Sequence, residues 1–273
     1  MDFWNIDFMR NTFLSALLLG PACALLGVFV TLRGMAFFSD ALAHSALTGV
    51  ALSLLLQELL GWNIDPMLVV LLFSLGLATA MAYFFERTQL RPDTIISFSF
   101  TGSVALGYIL ISMLGQYRII DGLLFGSIYS NSTPDLLKQL TLLVTITTFT
   151  LWQLRPYTLA VLQPDLAHIQ NINTRHLNYI FSLLIAVTVS ITLKMAGALL
   201  LSALIVTPAA AAKLLAPNFR FFLILAPLLG TGAATAGVLL SFRLDSPTGP
   251  TIVLTNVAIL ILCLLQASLR RRA

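Results

Sequence analysis

The sequence predicts an all-α, polytopic membrane protein with eight or nine transmembrane helices. Of its 273 residues, 58% are hydrophobic and 10% are charged, whereas a soluble domain carries about 25% charged residues. The mean hydropathy is +0.94. Apolar runs of about twenty residues, long enough to cross a hydrocarbon core about 30 Å thick, recur along the whole chain. Turn signals such as "GWNIDP" and "RLDSPTGP" separate most of these runs.

Nine apolar runs are candidate spans. They cover residues 11–32, 37–60, 66–85, 93–114, 138–154, 177–196, 197–215, 219–240 and 250–268. The runs that meet at residues 196 and 197 adjoin without a loop, so we expect one of them to be broken or re-entrant. The whole chain, residues 1–273, is therefore treated as a single transmembrane domain with eight or nine crossings.

Basic residues predict the orientation. If all nine runs cross, ten Lys and Arg side chains share one side of the membrane, and five share the other. The ten are Arg33, Arg87, Arg91, Arg155, Arg175, Lys213, Arg220, Arg270, Arg271 and Arg272. Because cytoplasmic loops carry the excess of Lys and Arg, the side with ten is predicted to be cytoplasmic, together with the C-terminus. The net charge of +4 thus reflects membrane topology rather than nucleic-acid binding.

Two stretches are neither spans nor short turns. The segment 155–176 is the most polar in the chain, and its middle, "PDLAHIQNI", is typical of a short helix with Asp165 near its start. On the charge count this segment is cytoplasmic, and we expect it to dock a cytoplasmic partner. The segment 120–134 is apolar with two glycines and is predicted to lie outside, as a half-helix or gate at the mouth of a pathway.

The familiar catalytic motifs are missing from the sequence. It contains no GxxxxGK[ST] phosphate-binding loop, no HExxH and no GxSxG. Cys23 and Cys263 both lie in apolar runs and are interpreted as buried small hydrophobes. The acidic, aromatic N-terminus lacks the basic region of a cleavable signal peptide. The chain is therefore predicted not to be an enzyme, and any ATP hydrolysis would belong to another polypeptide.

Two ionisable residues lie inside the second apolar run. Asp40 and His44 are four residues apart, so they share a helix face with Thr48, while Ser39 and other small residues surround them. A charged side chain in the membrane interior is costly and usually faces a cavity or the bundle interior. A carboxylate and an imidazole on one face can bind a divalent transition metal, relay protons, or form a structural hydrogen bond.

Several motifs resemble one family in order along nearly the whole chain. "RGMAFFSDALAHSALTGVALSLLL" resembles the signature of the membrane subunits of bacterial zinc, manganese and iron ABC importers, which is roughly G-M-x-x-x-x-D-A-L-x-H-x-x-L-x-G-V-A. Further matches are "LLFGSIYS" at 123–130, "PDLAHIQNINTR" at 164–175, "GALLLSALIVTPAAAAKLLA" at 197–216 and "DSPTGPTIVL" at 245–254.

The resemblance implies a permease of type II ABC-importer-like fold in the bacterial cytoplasmic (inner) membrane. It implies a homodimer that imports a divalent metal, with zinc favoured over manganese or iron, and that binds no cofactor of its own. An extracytoplasmic metal-binding protein would deliver the metal, and an ATP-binding subunit would dock on the 155–176 segment. Asp40 and His44 would contact the metal in transit. Further residues would contribute to the pathway or gate (Ser39, Thr48, Asp121 and Ser127) and to the docking segment (Asp165, His168 and Asn171).

The sequence departs from the family pattern in two places. Many members carry an acidic residue where this chain has Ser127, and the nearest acid is Asp121, upstream. The docking segment has Gln170 and Asn171 where a glycine is common. Two alternatives stay open from the sequence: a proton-coupled secondary transporter that uses Asp40 and His44, and a permease for a metal chelate.

Overall fold

The computed structural model describes residues 7–61, 65–115 and 133–272, and these residues form helices and short connections without any strand. The helices are α1 Asp7–Leu32, α2 Phe37–Leu60, α3 Pro66–Arg87, α4 Pro92–Leu114, α5 Thr133–Leu162, α6 Pro164–Ile169, α7 Thr174–Leu215, α8 Phe219–Leu244 and α9 Thr248–Arg272. The predicted all-α fold class is confirmed.

Local sequence accounts for the helix boundaries. Asp65 caps α3 by accepting a hydrogen bond from the Met67 amide at 3.0 Å, and Pro66 occupies the first helical position, where no amide hydrogen is needed. Asn218 caps α8 in the same way through the amide of Phe221. At a C-terminal boundary, Gly34 has a φ of 67° and ends α1, so that α2 begins only a few residues later.

The helices run alternately between two ends of the bundle. We call these the Arg33 end, where α1 finishes, and the Asp65 end, where α3 begins. Helix α5 starts at the Asp65 end, because Asp135 and Lys138 line one cavity with Asp65. It finishes at the Arg33 end, because the Tyr157 ring lies 4.7 Å from the Arg33 guanidinium carbon. Helix α5 therefore passes through the full depth of the bundle.

Helix α7 reverses direction in its middle. Phe181 of its first half and Ala209 of its second half both pack near the end of α1. Ile191 and Ala196, in contrast, line cavities at the Asp65 end. The break falls at Gly197, whose φ of 69° and ψ of 165° no L-residue adopts readily. The break thus falls at the junction of the two adjoining runs, and the expectation that one run is itself broken or re-entrant is wrong, because each half is a separate pass.

Eight helical segments within the described residues are long and apolar enough to cross a membrane, counting the two halves of α7 separately. They match eight of the nine runs in the sequence. The ninth run, 138–154, lies in α5, which is 30 residues long but carries seven threonines that lower its hydropathy. Although this run falls below the hydropathy threshold of a candidate span, the contacts of α5 show that it passes from one end of the bundle to the other. The fold is that of a multi-pass membrane protein.

The polar segment 155–176 is more helical than the sequence suggested. Helix α5 continues through Pro156 to Leu162, and α7 already begins at Thr174. The connection between α5 and α7 is therefore shorter than the polar segment 155–176, because α5 packs against α1 and remains helical past its apolar run. The short helix predicted within the segment is confirmed as α6, with Asp165 in its first turn.

Close backbone contacts hold the helices together. A Cβ atom added at Gly27 of α1 would lie 1.8 Å from the Ile205 carbonyl oxygen of α7. Similar contacts join α1 to α8 at Gly20 and α8 to α9 at Gly237. Small residues of this kind are typical of membrane helix interfaces, where packing rather than the hydrophobic effect drives association. These glycines therefore fix the distances between helix axes.

We expect Gly27→Ala to destabilise the protein, because the new methyl group cannot fit against the backbone of Ile205. Overpacking of this kind costs about 1–3 kcal/mol. Gly76→Ala is the matched control, since a Cβ atom there meets nothing within 4 Å. The measurement is the temperature at which half of the monodisperse protein is lost in detergent. Equal midpoints for the two variants would contradict the close contact.

Candidate functional site

The Asp40–His44 pair lies on one uninterrupted helix. Helix α2 runs without a break from Phe37 to Leu60, and Asp40 lies in its first turn. At a rise of about 1.5 Å per residue, the pair occupies the first two turns and is close to the Arg33 end rather than halfway along the span. The reason is the turn at Gly34, which starts α2 shortly before Asp40.

The two side chains face each other and are partly open. The His44 Nε2 and Asp40 Oδ1 atoms are 3.4 Å apart, and the side chains are 23% and 32% exposed, respectively. This separation is longer than the 2.7–3.2 Å of a good hydrogen bond. Neither side chain forms a hydrogen bond with any of the described residues. A purely structural Asp–His hydrogen bond is therefore not what the geometry favours.

Helix α4 forms the wall next to the pair. The Phe100 ring meets the His44 ring edge-on, with centroids 5.7 Å apart. One turn further along, Thr48 donates a hydrogen bond to the Ser103 carbonyl oxygen, and Gly107 lies so close that an added Cβ atom would be 2.9 Å from the Thr48 amide nitrogen. The α2–α4 contact thus sets the position of His44.

Helix α3 fixes the opposite side of α2. A Cβ atom added at Gly49 would lie 2.8 Å from the Val70 Cα atom. Between Phe38 and Ser53, α2 is therefore buried on nearly all sides. Asp40 and His44 are partly open on this stretch, as is Leu52 two turns further along, and the first two lie next to a common outlet.

That outlet is a cleft of ≈ 440 Å³ between α2 and α4. Its lining residues are Phe37, Asp40, Ala41, Asp93, Ile96, Ser97 and Phe100. The cleft lies at the Arg33 end, since both helices begin there. Asp93 was not among the site residues predicted from the sequence. Its position follows from the short connections between α2, α3 and α4, which alternate in direction and so bring the starts of α2 and α4 to the same end of the bundle.

The remaining predicted pathway residues differ in their positions. Ser39 is fully buried and does not line the cleft. Thr48 is also buried, and its hydroxyl group is committed to the Ser103 carbonyl oxygen. Asp121 and Ser127 lie outside the described residues, as does most of the segment 120–134 that was interpreted as a gate. The structure therefore brings Asp40, but not Ser39, to the lining of the cleft, and His44 lies beside it, packed against the Phe100 ring that lines the cleft.

The predicted docking residues lie on and just after α6. Ala167 anchors this helix in the protein, whereas Asp165 and His168 are exposed. Asn171 has a φ of 54°, a left-handed conformation that Asn tolerates and that explains a preference for glycine there. Three apolar residues of this region are also exposed: Leu162 (52%), Leu166 (42%) and Ile169 (75%).

The pair has the geometry of two metal ligands. Zinc bond lengths of about 2.0–2.2 Å and tetrahedral angles place two ligand atoms about 3.4 Å apart, and the observed His44–Asp40 separation is 3.4 Å. Within the described ranges, no cluster of three or more His, Cys, Asp or Glu residues could hold a metal ion. The arrangement can therefore contact a metal ion through two ligands and leave the others to solvent.

The chain is similar over nearly its whole length to membrane proteins of several metal uptake systems. The chain is 30% identical to the high-affinity zinc uptake system membrane protein ZnuB of Haemophilus influenzae, over 95% of this chain and 98% of that one. It is 27% identical to the manganese import system permease protein ScaB of Streptococcus parasanguinis, over 98% and 94% of the two chains. It is also 27% identical to the chelated iron transport system membrane protein YfeD of Yersinia pestis, over 94% and 85%.

The fold has a solved relative. The structure of PsaBC from Streptococcus pneumoniae in complex with Fab matches with a TM-score of 0.79 at 24% identity, and covers 94% of this chain and 91% of that one. The model of the ABC 3 transport family matches residues 5–267. The protein is not an enzyme, because ATP hydrolysis in such importers takes place on a separate subunit. The chain belongs to the ABC 3 transport family and is the membrane permease subunit of a zinc, manganese or iron importer.

Proposed function

We propose that this permease moves a divalent transition metal ion, with zinc in first place, into the cytoplasm by alternating access. The observation that carries the proposal is the Asp40–His44 pair, whose atoms are 3.4 Å apart and which has no hydrogen-bond partner among the described residues, with Asp40 lining the cleft. The metal is the transported substrate and not a resident cofactor. ATP is bound by the partner subunit.

A site of two protein ligands suits transport. Conduction requires binding that is strong enough to admit an ion and weak enough to release it. A full cage of three or four ligands of the kind found in structural zinc sites would retain the metal. Asp40 supplies charge and His44 supplies a borderline-soft nitrogen, a combination that zinc, manganese and ferrous iron all accept.

The proposed release route leads to the cytoplasm. The alternation of the passes puts the ten basic residues named above, and the end of α9, at the Arg33 end. By the excess of positive charge this end is cytoplasmic, and so is the C-terminus. The Asp40–His44 cleft opens at the same end. Release through this cleft would take the ion past Asp93.

We place the ATP-binding subunit on α6. Its short helix carries Leu166 and Ile169 exposed to solvent at the cytoplasmic end, where apolar side chains have no lipid to contact. Two copies of the permease would form the translocation path between them, and the extracytoplasmic metal-binding protein would dock at the Asp65 end. Asp165, His168 and Asn171 would complete the surface that the ATP-binding subunit contacts.

Zinc is preferred on two grounds. The relative that transports zinc is 30% identical over nearly the full chain, and the separation of the Asp40 and His44 atoms fits tetrahedral coordination. Uptake of labelled zinc, manganese and ferrous iron, each free and each as a chelate, tests the preference in proteoliposomes with the ATP-binding subunit. Selective uptake of chelates would favour a chelate permease, and uptake driven by a proton gradient without ATP would favour a secondary transporter.

We expect Asp40→Asn and His44→Ala each to reduce ATP-driven zinc uptake by at least about tenfold, because each variant removes one of two metal ligands. The measurement is initial uptake of labelled zinc by the complete complex at equal protein. Glu58→Gln is the matched control, since Glu58 is exposed near the opposite end of the same helix. Normal uptake by both pair variants would refute the assignment of the site.

We expect Leu166→Asp and Ile169→Asp to weaken binding of the ATP-binding subunit, because each places a charge in the centre of an apolar contact. Loss of a central interface side chain costs about 2 kcal/mol, or roughly thirtyfold in affinity. The measurement is the affinity of the purified permease for that subunit in detergent. Gln170→Asp, an exposed polar position beside α6, serves as control. Unchanged affinity in both variants would exclude α6 as the docking surface.

A further inference from the structure

Arg33 has an unusual environment at the junction of α1 and α2. Its guanidinium carbon lies 4.7 Å from the centroid of the Tyr157 ring and 5.3 Å from that of Phe181. One of its terminal nitrogens donates a hydrogen bond to the side-chain oxygen of Asn178. Among the described residues, no carboxylate forms an ion pair with it. Two aromatic faces and an amide therefore hold the charge.

The aromatic rings form a connected cluster. Phe29 meets Tyr157 edge-on, with centroids 4.8 Å apart, and the Tyr157 and Phe181 centroids are 5.1 Å apart. Phe29 belongs to α1, Tyr157 to α5 and Phe181 to α7. We call Phe29, Tyr157, Phe181 and Asn178 the Arg33 cage. The cage brings three helices together at one point.

Three residues of the cage lie on the two helices that flank α6 in the chain. Helix α6 lies between α5 and α7 in the chain, so Tyr157 precedes it by seven residues and Asn178 follows it by nine. Both residues contact Arg33. A displacement of α6 that carries the end of α5 or the start of α7 with it would move the cage together with Arg33, or break the contacts with it.

Arg33 is in turn firmly connected to Asp40. The turn that follows it is closed by hydrogen bonds from the Gly34 amide to the Thr31 carbonyl oxygen and from the Met35 amide to the Val30 carbonyl oxygen. Met35 is buried, and the Phe38 amide bonds to the Met35 carbonyl oxygen as α2 begins. A movement of Arg33 is thus transmitted to the first turn of α2, which carries Asp40.

Packing alone does not explain a charge at this position. Burial lowers the pKa of Arg33 from its ordinary value, and Tyr157 only partly offsets that effect. The Tyr157 hydroxyl group is also buried without a hydrogen-bond partner among the described residues. Apolar side chains of similar volume would generally stabilise such a site at least as well. An arginine that holds rings from separate helices is better suited to joining their movements.

We infer that Arg33 and its cage transmit movement of the docking helix α6 to the Asp40–His44 pair, so that ATP hydrolysis on the partner subunit is coupled to opening of the cleft. This inference rests on the proposed function. Arg33 is a positioning residue, because it contacts neither the metal nor the nucleotide. The part of the protein proposed to move as a unit consists of the α1–α2 turn, the end of α5 and the start of α7.

The test compares metal uptake with ATP hydrolysis in proteoliposomes that contain the complete complex of permease, ATP-binding subunit and metal-binding protein. We expect Arg33→Met and Tyr157→Leu to assemble and to hydrolyse ATP, while the amount of zinc imported per ATP falls by at least about fivefold. A purely structural defect would lower assembly, hydrolysis and uptake together and leave the ratio unchanged. The ratio therefore isolates coupling.

Two control variants sharpen the comparison. Arg87→Met removes an exposed arginine at the same end, whose guanidinium carbon lies 5.7 Å from the Tyr83 ring of its own helix, so it should leave the ratio unchanged. Tyr157→Phe keeps the ring and should also be normal. If Arg33→Met fails to assemble, Tyr157→Leu and Asn178→Ala carry the same prediction.

The outcomes separate this inference from the proposed function. Failure of the wild-type complex to import metal with ATP would overturn the proposed function itself. Import by the wild type together with an unchanged ratio in Arg33→Met and Tyr157→Leu would overturn only the role of the cage. A selective loss of imported zinc per ATP in the cage variants supports it.

Discussion

The close packing of α2 between α3 and α4 is the constraint on which the rest of the site depends. Gly49 lets the backbone of α3 approach, and Gly107 lets α4 approach at Thr48. With both neighbours at this distance, α2 is largely buried from Phe38 to Ser53, and the partly exposed Asp40 and His44 lie next to the cleft between α2 and α4. Larger side chains at the two glycines would separate the helices and expose the pair to lipid, where a charge is costly.

The same packing gives the pair its chemical character. The Asp40 carboxylate lines a cleft whose other walls include apolar side chains of α2 and α4 and the Asp93 carboxylate, and the His44 imidazole lies 3.4 Å from it. The Phe100 ring limits the rotation of His44, and the Thr48–Ser103 hydrogen bond holds the adjacent turn. In the proposed transport role, two ligands on one helix would let a metal ion exchange quickly, because these two residues do not surround the ion.

Energy has to reach this site from another polypeptide, and the fold provides a short path. The proposed docking helix α6 lies between α5 and α7 in the chain. Tyr157 of α5 and both Phe181 and Asn178 of α7 contact Arg33 at the α1–α2 turn. From there a closed turn leads directly into the first turn of α2. If α6 docks the ATP-binding subunit and the Asp40–His44 pair contacts the metal, as proposed, a few packed side chains connect the two.

The sequence by itself determined the membrane class, eight of the spans, the break at Gly197, the short helix at Asp165 and the shared face of Asp40 and His44. These follow from local hydropathy, turn chemistry and helical periodicity. Only the tertiary structure decided that Asp93 and Phe100 line the cleft, that Ser39 is buried away from it, and that Arg33 lies against rings of α5 and α7. Those features depend on contacts between residues far apart in the chain, which no local pattern encodes.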